Sequence, residues 1–242
     1  MLALGNFSGL RAIVSLLYPP VCTVCATIVA PSEYLCAKCA EKMVRIVPPF
    51  CARCSEPFEG AIIGAFTCAN CAHRTIHFDA AVAAYRSRGI VREIIHEFKY
   101  GRKIYLRHLV ARWLCAALDD PRLRSHRFDV IIAVPLHPAR ERERGFNQAS
   151  VLAELLAVHV TLPFRRLLER IRHTTTQTAL DRSERMENLH NAFRLRKNTD
   201  VRGLRVLLID DVLTTGSTLN ECARVLKRAC AISVHAATAA RA

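Results

Sequence analysis

Beyond residue 77, hydrophobic and polar residues fall into alternating blocks that predict an α/β fold. Four apolar stretches have the length of a strand: Phe78–Tyr85, Asp129–Leu136, Val206–Ile209 and Ile232–Ala239. Stretches so short and so apolar are typical of strands buried on both faces of a parallel sheet. Apolar residues recur at helical spacing over Ile90–Phe98, over Ile104–Leu118, after Phe146 and after Thr218. Strands that alternate with helices indicate an α/β domain with a central parallel sheet.

The most informative block is Val206–Thr218, which reads VLLIDDVLTTGST. Asp210 and Asp211 follow the apolar run, at the sheet edge where open α/β proteins bind ligands. A polar loop comes next and consists of Thr214, Thr215, Gly216, Ser217 and Thr218. A helix follows at once, and Thr218 with Glu221 has the spacing of a capping box. Backbone N–H groups at the positive end of a helix suit a phosphate. Carboxylates can accept hydrogen bonds from sugar hydroxyls. The block therefore suits a phosphoribosyl group, which has one phosphate and one ribose diol.

These 13 contiguous residues resemble the motif that binds phosphoribosyl pyrophosphate in type I phosphoribosyltransferases. The resemblance implies that Asp210 and Asp211 are the catalytic pair that orients the ribose hydroxyls. It implies that the amides of residues 214–218 hold the 5′-phosphate. It also implies Mg²⁺, held largely by pyrophosphate and ribose oxygens, as a hard cation prefers. The competing interpretation is an ordinary strand–turn–helix whose polar turn only caps a helix.

Cysteine spacing predicts a separate metal module before the α/β domain. Eight of the eleven cysteines fall within 50 residues as four CxxC pairs: Cys22, Cys25, Cys36, Cys39, Cys51, Cys54, Cys68 and Cys71. Two CxxC turns complete one tetrahedral thiolate shell, so eight ligands predict two zinc ions. Complete shells leave no position for a catalytic water, and we expect both ions to be structural. Disulfides or redox CxxC motifs are the alternatives that this count disfavours.

The pairing of the four CxxC turns is left open by the spacing. A sequential arrangement joins the first two pairs in one site and the last two in another. A cross-brace joins alternate pairs instead. We favour the sequential arrangement, because spacers of 10 and 13 residues within each site suit small ribbons.

Two basic segments are candidates to bind the pyrophosphate. Lys99, Arg102 and Lys103 form a compact cluster in a turn, although a solvated turn is an equally good interpretation. The second segment follows the strand that ends near Val134. In type I phosphoribosyltransferases the loop after this strand holds the pyrophosphate, and Pro135, Leu136 and His137 occupy that place here. Arg140 and Arg144 follow, and a guanidinium matches phosphate oxygens in pairs.

Two further segments complete the plan of the chain. Gly9–Tyr18 has helical periodicity and ends at Pro19-Pro20, so we predict a short helix packed on the metal module. Arg172–Phe193 is polar and lies between two apolar regions. It is typical of a flap that closes over a reactive sugar, with a plain linker as the competing interpretation.

Taken together, these segments resemble the ComF family. The resemblance lies in LYPPVCTVC, KYGRK, VPLHPARERERGFNQ, TQTALDRSERMENLHNAF and the phosphoribosyl motif. Members are phosphoribosyltransferase-like proteins, several linked to natural transformation. The resemblance implies a module over residues 1–74, consisting of the helix and a double zinc ribbon, and a phosphoribosyltransferase-like domain over residues 75–242. It implies phosphoribosyl transfer to an acceptor that it leaves undefined, in the context of DNA uptake.

Charge adds a second class of partner. The chain carries 35 Lys and Arg against 21 Asp and Glu, a net charge of +14, which favours anionic partners. Residues 1–78 hold six Lys and Arg against four acids, so the excess lies in the second domain. The alternative function is therefore a non-catalytic protein that binds single-stranded DNA or docks DNA-processing proteins and keeps the phosphoribosyl site as a sensor. No apolar run is long enough to span a membrane and no signal peptide is evident, so we expect a cytoplasmic protein.

Overall fold

The computed structural model describes residues 18–62, 64–101, 103–172 and 191–242. The predicted helix Gly9–Tyr18 lies outside these ranges except for its last residue. Arg102 and most of the predicted flap also lie outside the described residues.

The strands and helices follow the predicted alternation. The strands are β1 (Ala80–Arg86), β2 (Val130–Ala133), β3 (Leu168–Arg170), β4 (Phe193–Leu195), β5 (Arg205–Leu213) and β6 (Ser233–Arg241). The helices are α1 (Ala37–Ala40), α2 (Ala69–Ala72), α3 (Gly89–Tyr100), α4 (Arg107–Leu118), α5 (Pro121–Arg124), α6 (Pro138–Arg144), α7 (Gln148–Val160) and α8 (Ser217–Arg228). A 3₁₀ turn over Ile104–Leu106 leads into α4.

Four of the strands form a parallel sheet in the order β1-β6-β5-β2. β6 lies between β1 and β5, with His235 opposite both Ala80 and Leu207. Nearly every residue of β6 is buried. Because successive side chains of a strand point to opposite faces, this burial shows that the sheet is covered on both sides. A separate antiparallel pair joins β3 to β4.

Helices cover the sheet with the apolar faces that the periodicity predicts. α3 buries Val91, Ile94, Ile95 and Phe98. α4 and α7 pack against each other, α4 also against β6 and α7 against β2 and β5. α8 packs on β5 and β6. Within the described ranges, no helix has the length and apolar character needed to cross a membrane.

The structure differs from the sequence-based expectations in two places near the site. β5 continues past the apolar run to Leu213, so the two aspartates lie within the strand and Asp210 is opposite Thr238 of β6. The predicted capping box is wrong: Gly216 is the N-cap of α8 and no side chain caps the helix. Glu221 instead pairs with Arg224 and accepts a hydrogen bond from the backbone N–H of Asn191.

Before the sheet, the chain forms two small ribbons built on the CxxC turns. The first ribbon, residues 22–39, gathers the thiols of its own two pairs, and the second ribbon, residues 51–71, gathers those of the remaining two. The short helices α1 and α2 begin directly after Cys36 and Cys68 and each carries the last cysteine of its ribbon. The sequential pairing is therefore confirmed.

Candidate functional site

Residues 214–218 link β5 to α8 and include the first two residues of that helix; we refer to them as the threonine loop. Gly216 has a φ of +76°, a left-handed conformation that glycine adopts without strain. The hydroxyls of Thr215 and Ser217 lie 2.9 Å apart, and the Ser217 N–H points to the Thr215 hydroxyl at 3.4 Å. The 12-residue helix α8 starts here, so its first N–H groups and the positive end of its dipole lie at the loop.

The two aspartates lie in the C-terminal half of β5, and Val212 and Leu213 separate them from this loop. Asp211 is buried, and its carboxylate forms an ion pair with Lys99, with Nζ to Oδ2 at 2.9 Å. The Asp210 carboxylate accepts a hydrogen bond from the Asp211 N–H at 2.9 Å. Burial, reinforced by the neighbouring Asp211 charge, raises the pKa of Asp210 to about 7. Burial lowers the pKa of Lys99, but the two aspartates outweigh this and the net shift is upward.

Lys99 comes from the C-terminal end of α3, and its helix is joined to α6 at this point. Arg144, the last residue of α6, donates a hydrogen bond to the Tyr100 hydroxyl at 2.8 Å and lies over the Tyr100 ring at 4.7 Å. Arg144 also bonds to Gln148 at the start of α7. Lys99 therefore contacts Asp211, and Arg144 lies close enough to Lys99 for its charge to oppose the upward shift of the Lys99 pKa.

The loop after β2 is fixed by Asn147 of the GFNQ segment. Its side-chain oxygen caps α7 by accepting from the N–H groups of Ala149 and Ser150, while its amide donates to the Val134 carbonyl at 3.1 Å. Pro135 and Leu136 line a cavity of about 110 Å³ next to Arg170 of β3. Asn147 thus ties the backbone at the end of the loop's preceding strand to the start of α7.

The charged run after this loop is helical, which the alternation of Arg and Glu did not indicate. His137 caps α6, with Nδ1 accepting from the Ala139 N–H at 3.2 Å, and Pro138 occupies the first helical position. Arg140 lies on this helix close enough to Arg170 to affect its charge. Burial lowers the pKa of Arg170, and the charge of Arg140 adds to this effect, while the Asp210 carboxylate opposes it.

The remaining predicted cations are placed differently. Lys103 forms an ion pair with Glu97 at 2.9 Å on an exposed part of α3, away from the Lys99–Asp211 pair. Arg102 lies outside the described residues, so its assignment stays a prediction. Of the two cations of this turn that the structure describes, Lys99 contacts Asp211 and Lys103 contacts Glu97.

The two cysteine clusters fit zinc. In each set of four, all Sγ atoms lie within 4.8 Å of one another, and tetrahedral coordination at about 2.3 Å requires sulfurs about 3.8 Å apart. All eleven cysteines of the chain are free thiols in the structure. Each set offers four thiolates and no other ligand type, which suits a structural zinc and leaves no open coordination position.

Three residues missed by sequence analysis hold the outer side of the threonine loop. Asn70 donates to the Thr215 carbonyl at 3.1 Å, and Arg74 donates to the same carbonyl at 2.5 Å and to the Ser217 hydroxyl at 3.4 Å. Arg241 of β6 donates to the carbonyls of Leu213 and Thr214 and pairs with Glu56. The sequence holds one hint of this role for Asn70: the second ribbon has CANC where the first ribbon has CAKC.

Comparison with known proteins agrees with both parts of this structure. Residues 13–72 match the model of the double zinc ribbon domain, and residues 144–242 match that of the phosphoribosyl transferase domain. Fold and site therefore define a phosphoribosyltransferase-like protein that carries two zinc ribbons.

Relatives over most of the chain narrow this class. The chain is 32% identical to Competence protein F of Haemophilus influenzae over 199 residues, which cover 80% of this chain and 84% of that protein. It is 32% identical to DNA utilization protein YhgH of Salmonella typhimurium over 87% of this chain and 92% of that one. It is 28% identical to Competence protein ComFC of Bacillus subtilis over 81% and 79% of the two chains. The chain belongs to the ComF family.

Among solved structures, the chain resembles a purine phosphoribosyltransferase from Pyrococcus horikoshii with a TM-score of 0.36 and 19% identity. That likeness covers 55% of this chain and 71% of the other. An adenine phosphoribosyltransferase gives a TM-score of 0.36 and 13% identity, over 56% and 72% of the two chains.

Proposed function

We propose that this protein binds phosphoribosyl pyrophosphate together with Mg²⁺ and transfers the phosphoribosyl group to an acceptor. The observation that carries the proposal is the arrangement at the end of β5. A carboxylate paired with a lysine, a second half-buried carboxylate and an anion-binding loop follow one another within nine residues, from Asp210 to Thr218. A phosphoribosyl group carries the matching pair of features, a sugar diol for the carboxylates and a 5′-phosphate for the loop.

Each part of the site has a role that follows from its chemistry. The threonine loop binds the 5′-phosphate through N–H groups at the start of α8. Asp210 and Asp211 accept hydrogen bonds from the ribose hydroxyls, and their negative charge favours the positive charge that develops at the anomeric carbon. When bound, Mg²⁺ would supply positive charge that neutralises the leaving pyrophosphate, and Asp210 and Asp211 are the carboxylates of this chain that would orient the ribose of the same ligand.

The cations around the aspartates suit the leaving group. Lys99 lies against Asp211, and Arg144 lies next to Lys99 on Tyr100. In the proposed complex the loop at Pro135, Leu136 and His137 contributes the backbone N–H groups of Leu136 and His137, since proline has none, with Arg140 and Arg144 beside it. Bidentate contacts from guanidinium groups match the oxygens of a diphosphate.

Calorimetry tests the donor site directly. Wild-type protein with Mg²⁺ should bind phosphoribosyl pyrophosphate with a Kd of about 1 mM or lower, which corresponds to a free energy of about −4 kcal/mol. The double variant with Asp210→Ala and Asp211→Ala should lose binding. Asp200→Ala is the matched control, because Asp200 is an exposed aspartate that pairs with Arg202 away from the site. Absence of binding by folded wild-type protein would refute the proposal.

The transfer step needs an acceptor, and a scan identifies it. Pyrophosphate release should be measured with bases, amines and single-stranded DNA as candidate acceptors. Turnover with one of them, lost in the double variant, would support an enzyme. Tight donor binding without release in any reaction would instead support a sensor.

A binding role towards nucleic acid is the second candidate. Two relatives are named Competence protein F and DNA utilization protein YhgH. This chain has a net charge of +14, which favours binding to the phosphates of nucleic acid. Residues 86–112 alone carry eight Lys and Arg against two acids. Binding through such a surface releases counterions, so affinity for single-stranded DNA should fall steeply with salt and depend little on sequence.

Competition tests whether the two ligands share cations. Charge reversal at Lys99, Arg102 and Lys103 should weaken both DNA and donor binding if these cations serve both ligands, and phosphoribosyl pyrophosphate should then displace DNA. If DNA binding is insensitive to salt and unaffected by these substitutions, the basic surface is not the DNA-binding site.

A further inference from the structure

The threonine loop is held from outside by the second ribbon. Asn70 and Arg74 both donate to the carbonyl of Thr215, and Arg74 also reaches the Ser217 hydroxyl. These contacts link residues more than 140 positions apart in the chain. They join a predicted structural metal site to the loop that we propose binds phosphate.

Asn70 is placed by the metal site itself. It lies in α2 between Cys68 and Cys71, two of the four thiols of the second cluster. Both cysteines are buried, so the turn that carries Asn70 is packed as well as coordinated. The side chain of a residue between two metal ligands has little freedom, because the backbone on both sides is fixed by the metal.

The chain that leaves the second ribbon is also tied to α8. Asn220 of α8 accepts from the His77 N–H at 2.6 Å and donates to the Thr75 carbonyl at 2.9 Å. Arg74 is therefore anchored on both sides, by Cys71 before it and by the Asn220 contacts after it. Helix α8, whose start belongs to the threonine loop, is thus hydrogen-bonded to the segment that leaves the second ribbon.

Peptide geometry connects these outer contacts with the inner face of the loop. In a planar trans peptide the C=O of one residue and the N–H of the next point in opposite directions. The carbonyl of Thr215 points to Asn70 and Arg74, so the N–H of Gly216 points away from the second ribbon. Arg241 holds the Thr214 carbonyl in the same way, which turns the N–H of Thr215 away from Arg241.

Gly216 shows how close the contact is. A Cβ atom at this position would lie 3.1 Å from the Arg74 guanidinium and 3.4 Å from the Leu213 side chain. The left-handed φ and the nearby guanidinium both favour glycine here. The second ribbon thus restricts the residue type in the threonine loop as well as its orientation.

We infer that the second Cys₄ site is part of the phosphate site, with Asn70 and Arg74 as positioning residues that orient the N–H groups of the threonine loop. The first Cys₄ site has no such role. Metal in the second ribbon therefore sets the affinity for the phosphate end of the ligand. The inference deepens the proposed function and rests on it, since it assigns phosphate to the threonine loop.

The sharpest test compares equivalent positions in the two ribbons. Asn70 lies at the third position of CANC, and Lys38 lies at the third position of CAKC and is exposed. Asn70→Ala and Lys38→Ala should be prepared as full-length protein loaded with zinc. Metal analysis should give two zinc ions per chain in both variants. Asn70→Asp is a third variant, nearly equal in shape, that replaces the amide donor by an oxygen facing the Thr215 carbonyl.

Two measurements then separate positioning from general stability. Asn70→Ala should weaken binding of phosphoribosyl pyrophosphate and of inorganic phosphate by about threefold to tenfold, the worth of one hydrogen bond. It should speed amide exchange at residues 214–218 by a similar factor. Asn70→Asp should weaken ligand binding and speed amide exchange more than Asn70→Ala does. Lys38→Ala should change neither quantity. Arg74→Gln should act in the same direction as Asn70→Ala.

Each contrary result has a distinct meaning. Unchanged phosphate affinity and unchanged loop exchange in Asn70→Ala, with two zinc ions bound, would overturn the inference. Loss of zinc in that variant would also overturn it, because Asn70 would then be needed for the metal site alone. If the wild-type protein binds no phosphoribosyl ligand, the proposed function fails, while loop exchange still shows whether Asn70 orients the loop.

Discussion

The two ribbons have the same ligands but a different relation to the rest of the protein. In the first ribbon Cys25 is exposed and Cys36 half-buried, whereas all four cysteines of the second ribbon are buried. The first ribbon meets the sheet domain through exposed groups, chiefly Arg112 with Glu33 and a stack of Tyr34 on Tyr105. The second is bonded to the edge of β1 and to the threonine loop.

The contacts of the second ribbon are also better shielded from water. Ser55 donates to the Ala81 carbonyl at 2.9 Å, and Ala81 donates to the Arg53 carbonyl at 2.7 Å. Arg122 bonds to the Cys51 and Ala52 carbonyls and to Ser55. A repeated metal motif therefore does not imply a repeated role, since burial and partners decide what each copy stabilises.

Removal of one ligand from each ribbon should give the largest difference. Cys51→Ser and Cys22→Ser should each lower the zinc content by about one ion per chain. Cys51→Ser should also destabilise the whole protein by several kcal/mol, because metal binding is coupled to folding and this ribbon is buried against the sheet. Cys22→Ser should leave unfolding of the sheet domain nearly unchanged. Metal analysis and thermal unfolding measure both quantities, and equal destabilisation would contradict the comparison.

Replacement of the arginine that anchors each ribbon should give the next largest effect. The side chains of Arg122 and its partner Asp120 are 18% and 16% exposed, and Arg122 also lies over the Phe50 ring at 4.2 Å. The side chains of Arg112 and Glu33 are 50% and 49% exposed. Arg122→Ala should cost about 2–4 kcal/mol because it leaves buried carbonyls unpaired. Arg112→Ala should cost less than about 1 kcal/mol. Urea unfolding gives both values, and the reverse order would refute the expectation.

Asp210 and Asp211 lie on the strand that leads into the threonine loop, so the comparison of the two ribbons extends to these carboxylates. The folded-state pKa of Asp210, about 7, lies above its ordinary value of 3.8. The folded state therefore holds a proton that the unfolded chain has lost, and the free energy of unfolding falls as pH rises from about 4 to about 7. The slope from one group is at most about 1.4 kcal/mol per pH unit.

Asp210→Asn should remove this dependence. The variant should gain stability relative to wild type between pH 5 and pH 8, as measured by urea unfolding at each pH, and keep the hydrogen bond from the Asp211 N–H. Curves that stay parallel over this range would show that Asp210 is ionised throughout.

Exchange of the one position at which the two short cysteine turns differ should have the smallest effect. Lys38→Asn in the first ribbon should change the free energy of unfolding by no more than about 0.5 kcal/mol, since the residue is exposed. Asn70→Lys should cost about 1 kcal/mol, the usual net value of a hydrogen bond of this kind. A cost at Lys38 equal to that at Asn70 would mean that the ribbons are equivalent after all.

Much of this structure could be predicted because its signals are local. The apolar runs predicted all four strands of the central sheet, with errors of a few residues at their ends, and the CxxC pairs predicted both metal clusters. Strand β5 was predicted too short because Asp210 and Asp211 are polar, yet pairing with β6 carries the strand through them. Asp210 is thereby half-buried, a property that its neighbours along the chain do not reveal.

What could not be predicted depends on contacts across the chain. The capping box failed because Glu221 pairs with Arg224 and Asn191, while a left-handed glycine starts the helix. The helix α6 was missed because its Arg–Glu alternation has no apolar face, and His137 as its cap is unusual. Asn70 and Arg74 belong to a metal module by sequence, and only the fold brings them to Thr215.

The position of β6 between β1 and β5 has a consequence for how the protein is made. A ribosome delivers both ribbons before the strands of the sheet, and their thiols can meet zinc before most of the sheet domain has been synthesised. β1 follows soon after them but finds no neighbouring strand until β6 emerges, after β2 and β5. The nascent chain thus carries finished metal ribbons beside an open sheet edge, and Arg241, which secures the threonine loop to the second ribbon, arrives with that closing strand.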